Sequence, residues 1–341
     1  MRREFLSLKR TKVAVLGAGN WGRNHIRTLA SLPEAELAAI CDLDSERRAQ
    51  MAREFPGALI VSSPAEAIDV ADAVVVATPA ATHVELAKQA VQSGVPVLVE
   101  KPLALTLEDA TSIADLSESA GVPCLVGHLL VFHPAVEMLR KMIQTGELGD
   151  IFYLYSQRVN LGQVRPDENA LWSFGPHDVS VALYLLDETP TKVSANGKSY
   201  IQPDVEDVVF LTMEFKSGVT MHAQMSWLDP HKERRLTVVG SKKMVVWDDM
   251  EPREKVKVYD KGVDRPPNYK SYGESLAIRE GDIFVPKVSN TEPLVLELQH
   301  FIDVVKGAAP GAASARSGVE VVKVLSAATK SLAQDGMAVS L

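Results

Sequence analysis

The run VAVLGAGNWGRNH, residues 13–25, sets Gly17-x-Gly19-x-x-Gly22 directly after an apolar stretch and at the mouth of an amphipathic one. In that context each glycine has its own task. Gly17 permits a tight turn, Gly19 lets backbone approach a pyrophosphate, and Gly22 lets the helix pack close to the strand. Asn20 and Trp21 lie inside the same cradle. The helix start adds unpaired N–H groups and the positive end of a dipole. An acid completes the pattern: Asp42 follows Gly22 by twenty residues, at the end of the next apolar run. A carboxylate there accepts hydrogen bonds from ribose hydroxyls and repels a 2′-phosphate, which predicts NAD rather than NADP. Arg47 and Arg48 stand nearby; Arg47 is counted with the cofactor set, and the other reading of the pair is a solvated helix face.

The surrounding periodicity agrees. Apolar runs at Val13–Leu16, Leu37–Cys41, Val74–Ala77, Val95–Val99 and Pro123–Val126 alternate with helical stretches at Trp21–Leu32, from Ser45, Thr82–Gln92 and Leu107–Ala120. That rhythm means right-handed βαβ units and a parallel sheet. Past residue 150 the period falls to two, in Asp207–Phe215, Val219–Leu228, Arg234–Val239 and Met244–Trp247, with turns at 216–218 and 240–241. Two late helices are expected, Val295–Val305 and Val319–Leu332. The predicted class is therefore α/β: a doubly wound parallel sheet in residues 1–125, then an α+β domain in residues 126–341.

Charge and composition exclude other classes. The chain has 341 residues, enough for two domains, and Lys+Arg 36 against Asp+Glu 44 leaves a net charge of −8 with no basic block. That is a poor match to nucleic acid or to a membrane surface. No stretch approaches the ~20 apolar residues of a membrane span. The basic start MRREFLSLKR lacks the apolar core of a secretory signal. Cys41 and Cys124 both fall in strand-like runs, so no disulfide framework is expected and a reducing cytoplasm fits. The histidines show no metal-ligand spacing, so no metal is expected.

Two further motifs carry chemistry. In VLVEKPLAL, Glu100-Lys101-Pro102 ends a strand, where ligands of open α/β sheets bind. A lysine there can take a proton from a substrate hydroxyl as hydride leaves; the bland reading is an exposed loop lysine. In LWSFGPHDVSVALYLL, Gly175-Pro176 is expected to break the chain, leaving His177 at the start of an apolar helix. Histidine can relay protons near neutrality; alone, it reads as a helix cap.

Together with Ala77-Thr78-Pro79, His83, His25, Gly127, Pro134 and the late helix pair, these elements resemble the glucose–fructose oxidoreductase/inositol dehydrogenase (Gfo/Idh/MocA) family along nearly the whole chain. The resemblance implies a Rossmann domain followed by an open, mostly antiparallel sheet. It implies NAD(P)-dependent hydride transfer at a hydroxyl-bearing carbon of a sugar or polyol. It adds Thr78, Pro79, His83, Glu100 and Lys101 to the cofactor set and places Lys101 and His177 at the reacting centre. The family often carries acids four residues before and three after this histidine; here those positions are Ser173 and Ser180, so the acid/base role falls to Lys101.

A closer resemblance is to a nucleotide-sugar dehydrogenase branch, through R-x-N-L-G-x-x-R-x-D-E-N-x-L-W at Arg158–Trp172, Gly127-His128 and His133-Pro134-Ala135. It implies oxidation of UDP-N-acetylglucosamine at C3, ahead of an aminotransferase in amino-sugar and lipid A synthesis. The substrate set is then Lys101, His128, Arg158, Asn160, Arg165, Asn169, Trp172 and His177. Arginine suits a diphosphate, asparagine reads sugar hydroxyls, and Trp172 could stack on the sugar. The competing reading pairs the two arginines with Asp167 and Glu168 and buries Trp172. Dehydrogenation of a free sugar, polyol or inositol, and a non-catalytic NAD-sensing regulator, stay open. Thr220, His222, Gln224 and Ser226 share a face without charge, which predicts that a second subunit covers the sheet in a homo-oligomer.

Overall fold

The structure is a computed structural model and describes residues 10–162, 164–165, 168–264 and 277–341. The basic start, residues 1–9, and Asp167 lie outside the described residues. The chain forms two compact units, Met1–Phe132 with Thr291–Val322, and His133–Asn290 with Lys323–Leu341.

The first unit alternates strand and helix: β1 (Thr11–Leu16), α1 (Asn20–Ser31), β2 (Ala35–Cys41), α2 (Ser45–Glu54), β3 (Leu59–Val61), α3 (Pro64–Asp69), β4 (Ala73–Val76), α4 (His83–Gln92), β5 (Val97–Glu100), α5 (Leu107–Ala120) and β6 (Cys124–Gly127). The six strands run parallel in the order β3-β2-β1-β4-β5-β6. The order reverses between β1 and β4, and the crevice at that switch is where such sheets bind ligands. β4, β5 and β6 are buried at every residue, which is why their sequences are continuous apolar runs. Strand β3 and helix α3 leave no periodic signal in the sequence, because three and six residues are too few to display one. Cys41 and Cys124 are buried and unbonded, on strands that three others separate.

The second unit contains α6 (Pro134–Gln144), β7 (Ile151–Val159), α7 (Ala170–Leu186), β8 (Pro190–Lys198), β9 (Val208–Phe215), β10 (Thr220–Ser226), β11 (Glu233–Gly240), β12 (Met244–Asp248), β13 (Val256–Asp264) and β14 (Ala277–Phe284). With β15 (Val339–Ser340) they form a nine-stranded sheet, β14-β13-β12-β11-β7-β10-β9-β8-β15. Every pairing is antiparallel except β10 with β7. Met221, Ala223 and Met225 of β10 are buried, and α7 packs over β9 and β10.

Two expectations need correction. The chain does not divide once, at residue 125. Helix α8 (Pro293–Val305) sets Leu294, Leu298, Phe301 and Ile302 into the core formed by Val13, Val15, Ile26 and Leu29, so the first unit reclaims it. Nor does Gly175-Pro176 interrupt the chain. Helix α7 runs through both residues, so His177 sits in its interior and caps nothing. Pro176 removes only one N–H, the one that would bond to the Trp172 carbonyl. Gly175 maintains close packing: a Cβ there would lie 2.9 Å from Leu325 Cδ2 and 3.2 Å from Leu171 Cδ1.

Candidate active site

In the first unit the glycine loop leaves β1 at Gly17, whose φ of +96° suits glycine. A Cβ on Gly17 would meet the Ala77 carbonyl oxygen at 2.7 Å, and one on Gly22 would lie 1.9 Å from the Gly17 oxygen. At Gly19 only Arg47 comes within 4 Å, at 3.8 Å, so that glycine faces open space. This is the cradle a pyrophosphate needs: two glycines shut against protein and one open.

Asp42, buried at the end of β2, accepts the Ala18 N–H at 2.7 Å and the Asp44 N–H at 2.8 Å. A carboxylate has about four acceptor directions, so capacity for ribose hydroxyls remains. Half-exposed Arg47 approaches Asp42 at 3.6 Å, and Arg48 donates to the Asp42 and Leu43 carbonyls at 2.8 Å. Arg48 therefore braces the loop.

At the carboxyl end of β5 lies a hub. The Glu100 carboxylate is buried and accepts from Trp21 Nε1, from His25 Nε2 at 2.7 Å and from the Lys101 peptide N–H at 3.1 Å. Three donors thus fix the carboxylate in place. Gly127, opposite Glu100 in register, makes room: its Cβ would lie 3.2 Å from Glu100 Cδ. His83 is buried between the Thr78 and Pro102 carbonyls, each at 2.9 Å, and so ties the end of β4 to the loop after β5. Burial lowers its pKa. The Thr82 hydroxyl donates to the Pro79 carbonyl at 2.8 Å and accepts from the Thr78 hydroxyl at 2.7 Å, holding that turn.

Two buried groups beside the hub lack partners. His128 is enclosed, neither ring nitrogen meets a partner, and burial pushes its pKa down to about 4. Glu297 of α8 is 1% exposed with neither oxygen bonded, and burial together with the Glu100 charge raises its pKa well above the usual range. Nothing in the local sequence marks Glu297, which occupies one position of an amphipathic helix.

In the second unit the branch segment proves largely occupied. Arg158 is buried and its Nε donates to Asp178 of α7 at 2.8 Å, not to Glu168. Arg165 is half-exposed and pairs with Glu168 at 2.8 Å. Asn169 caps α7 through the Trp172 N–H at 3.0 Å and donates to Glu206 at 2.6 Å. The Trp172 indole N–H bonds Thr329 at 3.1 Å. Asn160 and His177 are half-buried. Among the described residues no cluster of three or more metal-ligating side chains occurs, and no helix is long and apolar enough to cross a membrane.

Two family models match this chain: an oxidoreductase family with an NAD-binding Rossmann fold, over residues 11–128, and the GFO/IDH/MocA C-terminal domain, over residues 136–246. The chain belongs to the Gfo/Idh/MocA oxidoreductase family. Its cofactor is NAD, and the glycine cradle with Asp42 fits that dinucleotide. This Gfo/Idh/MocA chain is 35% identical over 222 residues to inositol 2-dehydrogenase 2 of Saccharopolyspora erythraea, covering 62% of this chain and 66% of that protein. It is 29% identical over 228 residues to UDP-N-acetylglucosamine 3-dehydrogenase of Acidithiobacillus ferrooxidans, covering 67% and 70%. The chain thus spans about two thirds of the length of these relatives. Among solved structures it resembles GenD2 from gentamicin A biosynthesis in complex with NAD, with a TM-score of 0.82, 26% identity, and coverage of 100% and 99%.

Proposed function

We propose that this chain is an NAD-dependent dehydrogenase that oxidises a ring hydroxyl of a sugar or polyol. The observation that carries the reading is the Glu100 hub, which grips the Lys101 peptide N–H through a carboxylate fixed by Trp21 and His25. NAD supplies the hydride acceptor. Lys101 Nζ takes the hydroxyl proton as the C–O bond becomes a carbonyl. His177 is the second group assigned to proton handling.

The substrate we assign is a nucleotide sugar, UDP-N-acetylglucosamine oxidised at C3 to its keto form, which an aminotransferase can consume. Half-exposed Arg165 and half-buried Asn160, on one segment, support it: a guanidinium suits a diphosphate and an amide suits an acetamido group. A second reading, a free inositol or polyol, is favoured by the engagement of Arg158, Asn169 and Trp172 in internal bonds, which leaves fewer groups for a diphosphate. NADH absorbance with UDP-N-acetylglucosamine, N-acetylglucosamine and myo- and scyllo-inositol decides between them. Equal kcat/KM for free and UDP-linked sugar defeats the nucleotide-sugar reading, because remote binding energy would then count for nothing. No NADH from any of the four defeats the dehydrogenase reading for these substrates.

The outer face of the second sheet supports a homo-oligomer. Tyr153, Tyr155, Phe210 and His222 are exposed there, and β10 shows no charge. An aromatic patch of that kind is suited to a second copy. Light scattering that shows only monomer at low micromolar protein overturns this.

A further inference from the structure

Residues 306–314 cross from α8 to α9 (Ala315–Leu332) along the edge of the first sheet. β6 is the last strand of that sheet, and the crossing covers its free side. The Val126 N–H donates to the Ala313 carbonyl at 2.8 Å, and Leu125 forms an antiparallel bridge with Ser314. An edge covered in this way offers fewer unpaired groups to another strand. A histidine holds this strap in place. His300 of α8 accepts the Ala312 N–H on Nε2 at 3.0 Å, and its ring packs against Phe132 with 5.2 Å between centroids.

An imidazole nitrogen that accepts a backbone N–H carries no proton. The closed strap therefore requires a neutral His300 with its hydrogen on Nδ1. A second proton would place an N–H on Nε2, aimed at the Ala312 N–H. The amide itself would not be stranded, since it also reaches the Pro310 carbonyl at 3.1 Å. Two donors facing each other at 3.0 Å repel, so the ring and the strap must part. Burial lowers the His300 pKa, while Asp303, one turn further along α8, favours the charged ring. Residues 307–314 and the turn 129–132 that carries Phe132 contain no ionisable side chain, so neither element that touches the ring supplies a competing charge. His300 is half-buried, and a proton reaches it without unfolding of the chain.

We propose that His300 is an acid-sensitive latch: its neutral ring pins residues 306–314 to the edge of β6, and its protonated ring releases them. β6 ends at Gly127, opposite Glu100 in register, so release loosens the strand that backs the Glu100 hub. The latch acts within the first unit and does not depend on which substrate the protein oxidises.

Hydrogen exchange of the full chain between pH 8 and pH 5, corrected for the intrinsic rate at each pH, tests the latch. Protection of the Val126 N–H should fall by up to about ten-fold per pH unit below about 6.5, the ordinary histidine value, and level off at the lowered value of the latched ring. β4, in the interior of the same sheet, should keep its protection and serves as the control. In His300→Gln an amide oxygen can accept the Ala312 N–H without titrating, so Val126 protection should stay level over the whole range. A wild-type Val126 whose protection is level from pH 8 to pH 5 overturns the proposal, whether or not the variant folds. So does the same fall in His300→Gln. So does a nitrogen-15 spectrum in which neutral His300 carries its hydrogen on Nε2.

Discussion

Glu100 and Asp178 are both nearly enclosed carboxylates, one in each unit, and they are satisfied in different ways. Glu100 collects an indole N–H, an imidazole and a peptide N–H. Asp178 meets one guanidinium, that of Arg158. The first arrangement holds a carboxylate still through three N–H groups. The second neutralises the charge and uses it to fasten β7 to α7. A carboxylate held by three N–H groups orders the backbone at Lys101, whereas a closed ion pair joins two elements.

The comparison can be broken at its strongest point first. Lys101→Met should lower kcat by on the order of 10²–10⁴, the usual worth of a positioned acid or base. NAD binding, measured by fluorescence quenching, should survive because the phosphate cradle is elsewhere, with at most the loss of the lysine's own contact to the cofactor. Near-normal turnover removes Lys101 from the chemistry. Next, Arg158→Met should strand a buried Asp178 and destabilise the fold by about 3–5 kcal/mol, as a broken buried pair does. If denaturant unfolding shows no loss, Arg158 is a substrate group after all. Asp42→Ala should weaken NAD by about 1.5–3 kcal/mol, the worth of a hydrogen bond to a charged group, and should spare or improve NADP. Tighter NADP binding by the wild type contradicts the role given to Asp42.

Glu297 and His128 sharpen the contrast, since both are enclosed without either kind of partner. The folded pKa of Glu297 is raised, so the native state keeps a proton that the unfolded chain loses above about 4.5. Its contribution to stability therefore falls as pH rises. Glu297→Leu should raise Tm, by more at pH 8 than at pH 5. His128 has its folded pKa depressed from 6.5 to about 4, so the unfolded chain binds a proton first and stability is lost as pH falls through that window. His128→Asn should flatten the acid limb of the Tm–pH curve, the smallest effect here near neutrality.

The legible parts of the molecule are those whose chemistry is local. The three glycines, Asp42 and Glu100-Lys101 lie within or beside single βα turns of the first unit, so spacing alone singles them out. The partner of Arg158 is not local: it is Asp178, twenty residues on, and only the folding of α7 over the sheet brings the two together. The same holds for Arg234 opposite Arg158 and for Glu297 near Glu100. Helix α7 was hidden for another reason. Local propensity at Gly175-Pro176 argues for a break, and burial of the surrounding apolar face outweighs one missing hydrogen bond.

The return of α8 to the first unit has a consequence for synthesis. Leu298, Phe301 and Ile302 belong to the same core as Val13 and Ile26. A ribosome adding about 5–20 residues per second delivers them roughly 10–30 s after Phe132 has emerged. During that interval the nascent nucleotide-binding sheet has a gap along α1, which a chaperone or a neighbouring nascent chain can occupy before the polypeptide's own tail arrives.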